Sequence, residues 1–426
     1  MLPSGAGPRR YARGVRTDAG RGMGTARLGT VVFCTAALFV FFQMVLQTFP
    51  SVMREGLVVD LSLNEAGFGG LSSSFYYPYI LLQVPAGILV SRFGARAVLI
   101  TAAVICTAAS FLFAISQTAG YAEATRILMG LGAAPTVVCA MTLAAQWFPA
   151  RLFPLLAALT EMAGMVGAAV GQEVLGFVVD RSGWRTGMLL CGATAAVLLV
   201  LAVLFIRNRD AGGTREHWPQ AAEMKRLLSS PAILSSSVAG GLVGSAGMSF
   251  GMLWGVSFFQ VHHHLSLTAA SLCVSFYFWG ALPGMLGSAW LCSRYRNAAQ
   301  LLAIGAAGTA VTLILILFVL HVQVVQSVAM FVLGVFNSTY ALAFTMVKDE
   351  TPEHLSGVAM GLTNMTIMGI AAMLFQPLIG LLAHARGEDV PGAATLSAII
   401  VAQVIALAIL ARGRTRRHQR SQPHQV

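Results

Sequence analysis

Charge is what this sequence has least of. Its 426 residues include 27 Lys and Arg and 16 Asp and Glu, so charged side chains make up 10% of the chain. Soluble domains carry about 25%, and a surface this poor in charge excludes a water-soluble globular protein of this length. Cysteine is sparse as well. Cys34, Cys106, Cys139, Cys191, Cys273 and Cys292 show no C-x-x-C spacing. That leaves neither a disulfide framework nor a zinc site and reads as small buried residues. The chain also lacks a nucleophile–base pair, a phosphate-cradling loop and an acidic metal cluster. Nothing in it points to an enzyme, a metal or a cofactor.

What is present is apolar. Hydrophobic residues are 57% of the chain and mean hydropathy is +0.75. Runs long enough to cross a ~30 Å hydrocarbon core recur at 29–50, 66–90, 97–117, 120–147, 154–179, 186–206, 233–261, 268–291, 298–320, 324–347, 355–383 and 392–411. The expected fold is an all-α polytopic membrane protein with twelve transmembrane helices. A net charge of +11 is explained by where the cations fall. With the N-terminus in the cytoplasm, Arg54, Arg181, Arg185 and Arg386 lie outside and Arg126 lies within a span. All other Lys and Arg lie inside, as the positive-inside rule requires, and this excludes nucleic acid as the reason for the basic balance. Both tails, 1–28 and 412–426, are expected at the cytoplasmic surface, where each basic residue gains roughly 1 kcal/mol from anionic headgroups. Residues 1–28 are rich in Gly and Arg and are expected to be disordered. The first span is too long for the apolar region of a cleaved signal peptide and is expected to remain in the mature protein.

The chain repeats itself. Residues 159–169 read LTEMAGMVGAA and residues 362–372 read LTNMTIMGIAA, with six identities at a spacing of 203. Gln172 and Gly176 recur as Gln376 and Gly380, and Ser91-Arg92-Phe93 recurs as Ser293-Arg294-Tyr295. Matches in order at nearly constant spacing predict two pseudo-symmetric six-helix bundles, 29–206 and 233–411, joined by a cytoplasmic linker at 207–232. Parallel repeats of this kind enclose a cleft with a solute site near mid-membrane.

Gly87, Ser91, Arg92, Gly94 and Arg96 stand in the pattern G-x-x-x-[DE]-R-x-G-x-[RK]. Arg126, Gly130 and Gly132 form R-x-x-x-G-x-G, and Gly183-Trp184-Arg185 forms a third motif. Together they resemble the signatures of the major facilitator superfamily over about 30–411. The runs SSFYYPYILLQVPAG, LTEMAGMVGAAVGQ and GMLWGVSFF are similar to a bacterial subgroup. It includes phagosomal amino-acid and nucleoside permeases and, more distantly, the lysosomal dipeptide permease. The resemblance implies alternating access, a monomer in the bacterial inner membrane, no cofactor, and a small-molecule substrate. It also makes a proton a potential coupling partner. Two positions depart from the pattern: Ser91 replaces the acid of the first motif, and Gly171 is followed by Gln172 where drug–proton antiporters of the family have proline.

An ionisable group inside the membrane costs roughly 2.5–3.5 kcal/mol on insertion scales and is a functional candidate by default. Four qualify: Glu123, Arg126, Glu161 and Glu173. Arg126 can bind a carboxylate through its planar fork; the alternative is an ion pair with Glu123, three residues earlier. Glu161 shares a helical stripe with Met165, Ala168 and Gln172, and its repeat partner is Asn364. The two could bind an amine or take up a proton, or could simply join helices. Glu173 is either a second proton site or a packing residue. Gln43, Gln47, Tyr76, Tyr77, Tyr79, Gln83 and Trp254 are polar-tipped residues that could line the cleft or pack helices. Gly164, Gly167 and Gly171 permit close helix approach. The run His262-His263-His264 cannot chelate one ion from a helix, because neighbours splay by about 100°.

The expected function is transport of an amino acid, dipeptide or nucleoside-like metabolite. Proton-driven efflux of a drug or siderophore is the alternative, and a non-transporting membrane sensor the second. In the family the acid of the first motif helps latch the two bundles together at the cytoplasmic side. With Ser91 in its place the latch is weakened, and the resting population shifts toward inward-facing. Ser91→Asp is expected to lower cysteine accessibility at cytoplasmic cleft positions; unchanged accessibility would count against the latch.

Overall fold

The computed structural model describes residues 18–208, 227, 229–352 and 355–421. The first seventeen residues of the expected tail, most of the linker (209–226 and 228) and residues 422–426 lie outside the described residues. Among the described residues no β-strand occurs. In chain order the helices begin with α1 (Asp18–Asp60), α2 (Glu65–Ser73), α3 (Tyr76–Leu81), α4 (Gln83–Ala114), α5 (Ala119–Ala133), α6 (Thr136–Trp147) and α7 (Phe153–Phe205). They continue with α8 (Pro231–Ser245), α9 (Gly255–His263), α10 (Leu267–Tyr295), α11 (Ala298–Phe318) and α12 (Gln323–Asn337). The last are α13 (Leu342–Asp349), α14 (Ser356–Met368), α15 (Phe375–Ala385) and α16 (Ala393–Ser421). Two π-helical segments, Ala246–Trp254 and Gly369–Leu374, join α8 to α9 and α14 to α15.

Among the described residues ten helices are long and apolar enough to cross a membrane, against the twelve spans expected. One is lost because two expected spans share α7, the other because the expected span 66–90 is cut into pieces too short to cross alone. A straight helix the length of α7, 53 residues, would reach about 80 Å, more than twice the hydrocarbon core. Gly183, at φ 78° and ψ 166°, breaks it. Gly94, at φ 80° and ψ 150°, breaks α4 in the same way. Only glycine adopts that region readily. Before Gly94, the expected span 66–90 is divided among α2, α3 and the start of α4.

Side chains next to each break hold it shut. Trp184 Nε1 donates to Asp60 Oδ2 at 2.9 Å, and Arg185 pairs with the same carboxylate while donating to Ser116 O at 3.2 Å. This ties the turn in α7 to the ends of α1 and α4. At the opposite end Arg96 Nη2 donates to Val203 O at 3.0 Å, and Arg96 N donates to Asn208 Oδ1 at 2.9 Å. Val203 lies in the last turn of α7, where carbonyls lack helical partners and a cation meets the negative end of the helix dipole. The end carrying Arg92, Arg96 and Arg294 is hereafter the basic end, and the end carrying Asp60 and Arg185 the far end.

The backbone repeats as the sequence does. Ser91 Oγ donates to Ile88 O at 2.9 Å and Ser293 Oγ to Trp290 O at 2.7 Å. Gly94 and its counterpart Arg296 both have positive φ, as do Gly183 and Gly387. A Cβ on Gly130 would collide with the Phe75 carbonyl oxygen, and one on Gly334 would collide with that of Tyr277. The same glycine crossing is therefore built twice, about 200 residues apart. Gly167 packs against the backbone of Phe41 in the same fashion, while Gly164 and Gly171 pack on Met44 and Val45. Four cysteines are buried, whereas Cys34 is exposed and Cys292 half-buried; the last two differ from the expectation of burial, Cys292 because it borders a cavity. His263 Nδ1 and Gln326 Nε2 lie 2.8 Å apart, and His264 ends α9 in a left-handed conformation.

Overpacking a tight crossing costs about 1–3 kcal/mol. Gly130→Ala and Gly334→Ala should each lower the thermal unfolding midpoint of purified protein. Gly87→Ala, whose Cβ would meet open space, should leave it unchanged or raise it.

Candidate functional site

The two halves of the chain touch at the far end and part at the basic end. At the far end α2 crosses the π segment and α15 at Gly69 and Gly380, each pressed against the other half's backbone. Phe68 stands edge-on to Trp254 with ring centroids 5.4 Å apart, and Trp254 Nε1 donates to Gln376 O at 3.3 Å. Arg54 joins Glu65 to the carbonyl of Asp389. Between α7 and α10, Glu173 Oε1 accepts from Ser275 Oγ at 2.7 Å and from Trp279 Nε1 at 3.1 Å. Two turns further out, Thr268 Oγ1 donates to Asp180 Oδ2 at 2.8 Å.

The parting at the basic end is a cavity of about 830 Å³. Its N-terminal wall is Met141, Ala157, Glu161 and Met162; its C-terminal wall includes Met285, Cys292, Arg296, Thr345 and Asp349. Apolar surface with two carboxylates and one guanidinium suits a small solute that carries both signs of charge. Thioether side chains on both walls adapt to different shapes.

Arg126 lies apart from this cavity and is wholly buried. Nη1 donates to Leu46 O at 2.5 Å and Nη2 to Ser72 O at 3.1 Å. Its guanidinium lies 4.7 Å from the Phe49 ring and 4.9 Å from that of Phe75. Among the described residues the ion pairs are Arg54–Glu65 and Arg185–Asp60. Glu123 is exposed, so the ion pair weighed for Arg126 does not form. Cation–π contacts and two carbonyls stand in for a carboxylate, and Nε keeps no partner.

The π segments hold a second polar group. A π turn frees backbone carbonyls from the regular ladder, and such turns recur at functional sites. Ser249 Oγ donates to Ala371 O at 2.8 Å and Gln376 Nε2 to Met248 O at 2.8 Å. From the other half Gln172 Nε2 reaches Gly251 O at 3.4 Å and Ser51 donates to Gln172 Oε1. The repeat pair Gln172 and Gln376 thus converges on one segment.

Of the residues singled out from sequence, Glu161 lines the cavity. Its repeat partner Asn364 is half-buried and is not part of the cavity wall. Glu173 and Trp254 belong to the far-end seal. Gln43 is buried, donating to Tyr79 at 2.8 Å and accepting from Thr136. Tyr77 is 38% exposed while Tyr76 and Tyr79 point inward, since adjacent helical residues diverge by about 100°. In the motif loop, Ser91 and Arg92 are exposed, Arg92 lies over Phe93, and Gly87 faces open space. Arg296 and Asp349, at or near helix ends, did not stand out in the sequence, and Cys292 was expected only as a small buried residue. The repeat offers one signal, since Arg296 is the counterpart of Gly94.

Comparison with known proteins agrees with this architecture. Residues 31–376 match the model of the Major Facilitator Superfamily. The chain belongs to that family. A protein of Cupriavidus necator named a probable sulfoacetate transporter is 26% identical over 152 residues, 35% of each chain. The chain thus spans about a third of the length of that relative. A Bacillus subtilis protein named a probable galactarate/D-glucarate transporter is 22% identical, with 79% of this chain and 82% of that one aligned. The niacin transporter of Acinetobacter baylyi is 24% identical over 82% of this chain and 87% of its own. Among solved structures, a bacterial homologue of the human lysosomal transporter Spinster, in an inward-facing occupied conformation, superposes with a TM-score of 0.77. It shares 14% identity and aligns over 91% of this chain and 97% of its own. The nucleoside transporter NupG follows with a TM-score of 0.73 and 13% identity over 89% and 98%.

Removing an unpaired buried charge relieves a desolvation cost, and the carbonyls that Arg126 caps lie in helices. Arg126→Met should therefore keep or raise the unfolding midpoint. A fall as large as that of Gly130→Ala would mark Arg126 as structural instead.

Proposed function

We propose that the protein moves a small zwitterionic metabolite, an amino acid or dipeptide, across the plasma membrane by alternating access. The observation that carries this reading is the cavity at the basic end, where Glu161 and Asp349 stand with Arg296 between two apolar walls. In this reading Glu161 takes the ammonium group or a coupling proton. Arg126, with its unpartnered Nε, receives the carboxylate as the halves rock and its two carbonyl contacts exchange. Glu173, Gln43 and Trp254 then act in the seal and packing, while Asn364 joins the site only once the walls approach. Gly87, Ser91, Arg92, Gly94 and Arg96 form the hinge at the basic end. With positive-inside orientation the cavity faces the cytoplasm, the two six-helix bundles are the moving bodies, and a monomer suffices.

A second reading, an organic acid lacking an amine, draws support from the relatives named for sulfoacetate, galactarate/D-glucarate and niacin. All of these bear a carboxylate, so Arg126 keeps its role while Glu161 becomes a proton site. Uptake of labelled amino acids, dipeptides and nicotinate into proteoliposomes separates the two. The zwitterion reading expects saturable uptake of an amino acid or dipeptide, lost in Arg126→Met and Glu161→Gln. Uptake of nicotinate alone favours the organic acid, and uptake intact in both variants sinks the residue assignment.

A further inference from the structure

A groove of about 440 Å³ runs along the N-terminal half at the basic end. Its walls are drawn from residues 82–93 on one side of the break at Gly94 and 97–105 on the other, with Leu131 and Pro135 of the next span. Thr101 apart, every side chain lining it is apolar. The groove opens outward from the bundle. Ala97 and Thr101 share a helical stripe with Val104 and Phe111, and all four are exposed. On a helix long and apolar enough to cross the membrane, such a stripe meets hydrocarbon.

Depth and charge together select the occupant. Leu82 lies eleven residues before Phe93, a rise of about 16 Å. The hydrocarbon of a single leaflet is half of ~30 Å deep, so one acyl chain along the membrane normal matches the groove in length and in chemistry. At its mouth stands a cation. Arg92 is exposed, and its guanidinium lies 5.4 Å from the centroid of the Phe93 ring, which lines the groove. Contact with the ring face keeps that charge beside the groove. Among the described residues Arg92 has no ion pair, and residues 85–96 contain no acid. Arg96, the other cation of this stretch, is engaged with Val203 O at the end of α7. One unanswered positive charge therefore sits at headgroup level, where basic residues attract anionic lipid.

We propose that the groove is a binding site for an anionic phospholipid, with one acyl chain along residues 82–93 and the phosphate against Arg92. With the basic end in the cytoplasm, as in the proposed function, the lipid comes from the inner leaflet; the site itself does not depend on the solute carried. Because the walls lie on both sides of Gly94, the chain packs against both spans that meet at the hinge. The head brings a negative charge to a stretch that has none.

Native mass spectrometry of the full-length protein tests this, with phosphatidylglycerol set against phosphatidylcholine of the same acyl chains. Phosphatidylglycerol should bind saturably to the monomer at about fivefold lower concentration. Arg92→Gln should remove that preference. Arg294→Gln, whose parent guanidinium lies over Tyr295 in the other half, should keep it. Ala97→Trp and Thr101→Trp fill the groove from exposed positions and should weaken retention of both lipids while leaving the unfolding midpoint of lipid-free protein unchanged. Equal retention of the two lipids, a preference that survives Arg92→Gln, or one lost equally in Arg294→Gln would overturn the proposal. So would retention unchanged in both Trp variants, or a dimer formed in place of lipid binding. Competition by soluble glycerol 3-phosphate as strong as that by phosphatidylglycerol would assign Arg92 to a free anion and leave the groove without a role.

Discussion

Within hydrocarbon, helices gain nothing from the hydrophobic effect by touching one another, because lipid tails are as apolar as leucine. What holds this protein together is backbone brought against side chain and backbone at glycine. The crossings of Gly130 on Phe75, Gly334 on Tyr277 and Gly167 on Phe41 set how close the helices come. Everything else depends on that spacing. Arg126 reaches two carbonyls of other helices, and Gln172 reaches a π segment in the other half, only because those helices are near. The seal at the far end uses the same device between halves, at Gly69 and Gly380, with ionic and aromatic contacts laid around it.

Much of this was legible in the sequence because the membrane restricts what a chain can do. Apolar runs must be helices, and the repeat around Leu159 and Leu362 announced that packing would be duplicated. The glycines at 164, 167 and 171 were read as contacts and are contacts. The division of the span 66–90 was harder to read. Pro78 and Pro85 were visible, and the breaks at Ser74–Phe75 and Leu82 fall where each proline lacks an N–H for the carbonyl four residues earlier, Ser74 and Leu81; a long apolar run masked that local signal. Likewise, two spans were left within one helix on either side of Gly183, where regular structure resumes within a single residue.

The site was read only in part, for a reason of geometry. Glu161 could be picked out because a carboxylate in a long apolar run is conspicuous. Arg296 and Asp349 could not, since charges at helix ends look like topological markers. Only the tilt of the two halves turns them toward a shared space. Tyr77 illustrates the opposite difficulty. Within Phe75-Tyr76-Tyr77-Pro78-Tyr79 every aromatic tip is a plausible lining residue, and the register that sends Tyr77 outward is fixed by the packing of Tyr76 and Tyr79. The Glu123–Arg126 pair had the right spacing for contact, yet burial of one partner and exposure of the other keeps them apart.

The two π segments, found only in the C-terminal half among the described residues, carry a mechanical meaning. Each π turn stores one surplus residue within a helix that otherwise advances regularly, much as a carpet stores length in a wrinkle. Such slack shifts along the rod by exchanging one carbonyl partner for the next, and no helix need unwind. Met248, Ala371 and Gln376 already offer their carbonyls to side chains, so the exchange starts from groups with alternative donors at hand. The half with the wrinkles thus carries slack that the described residues of the other half do not.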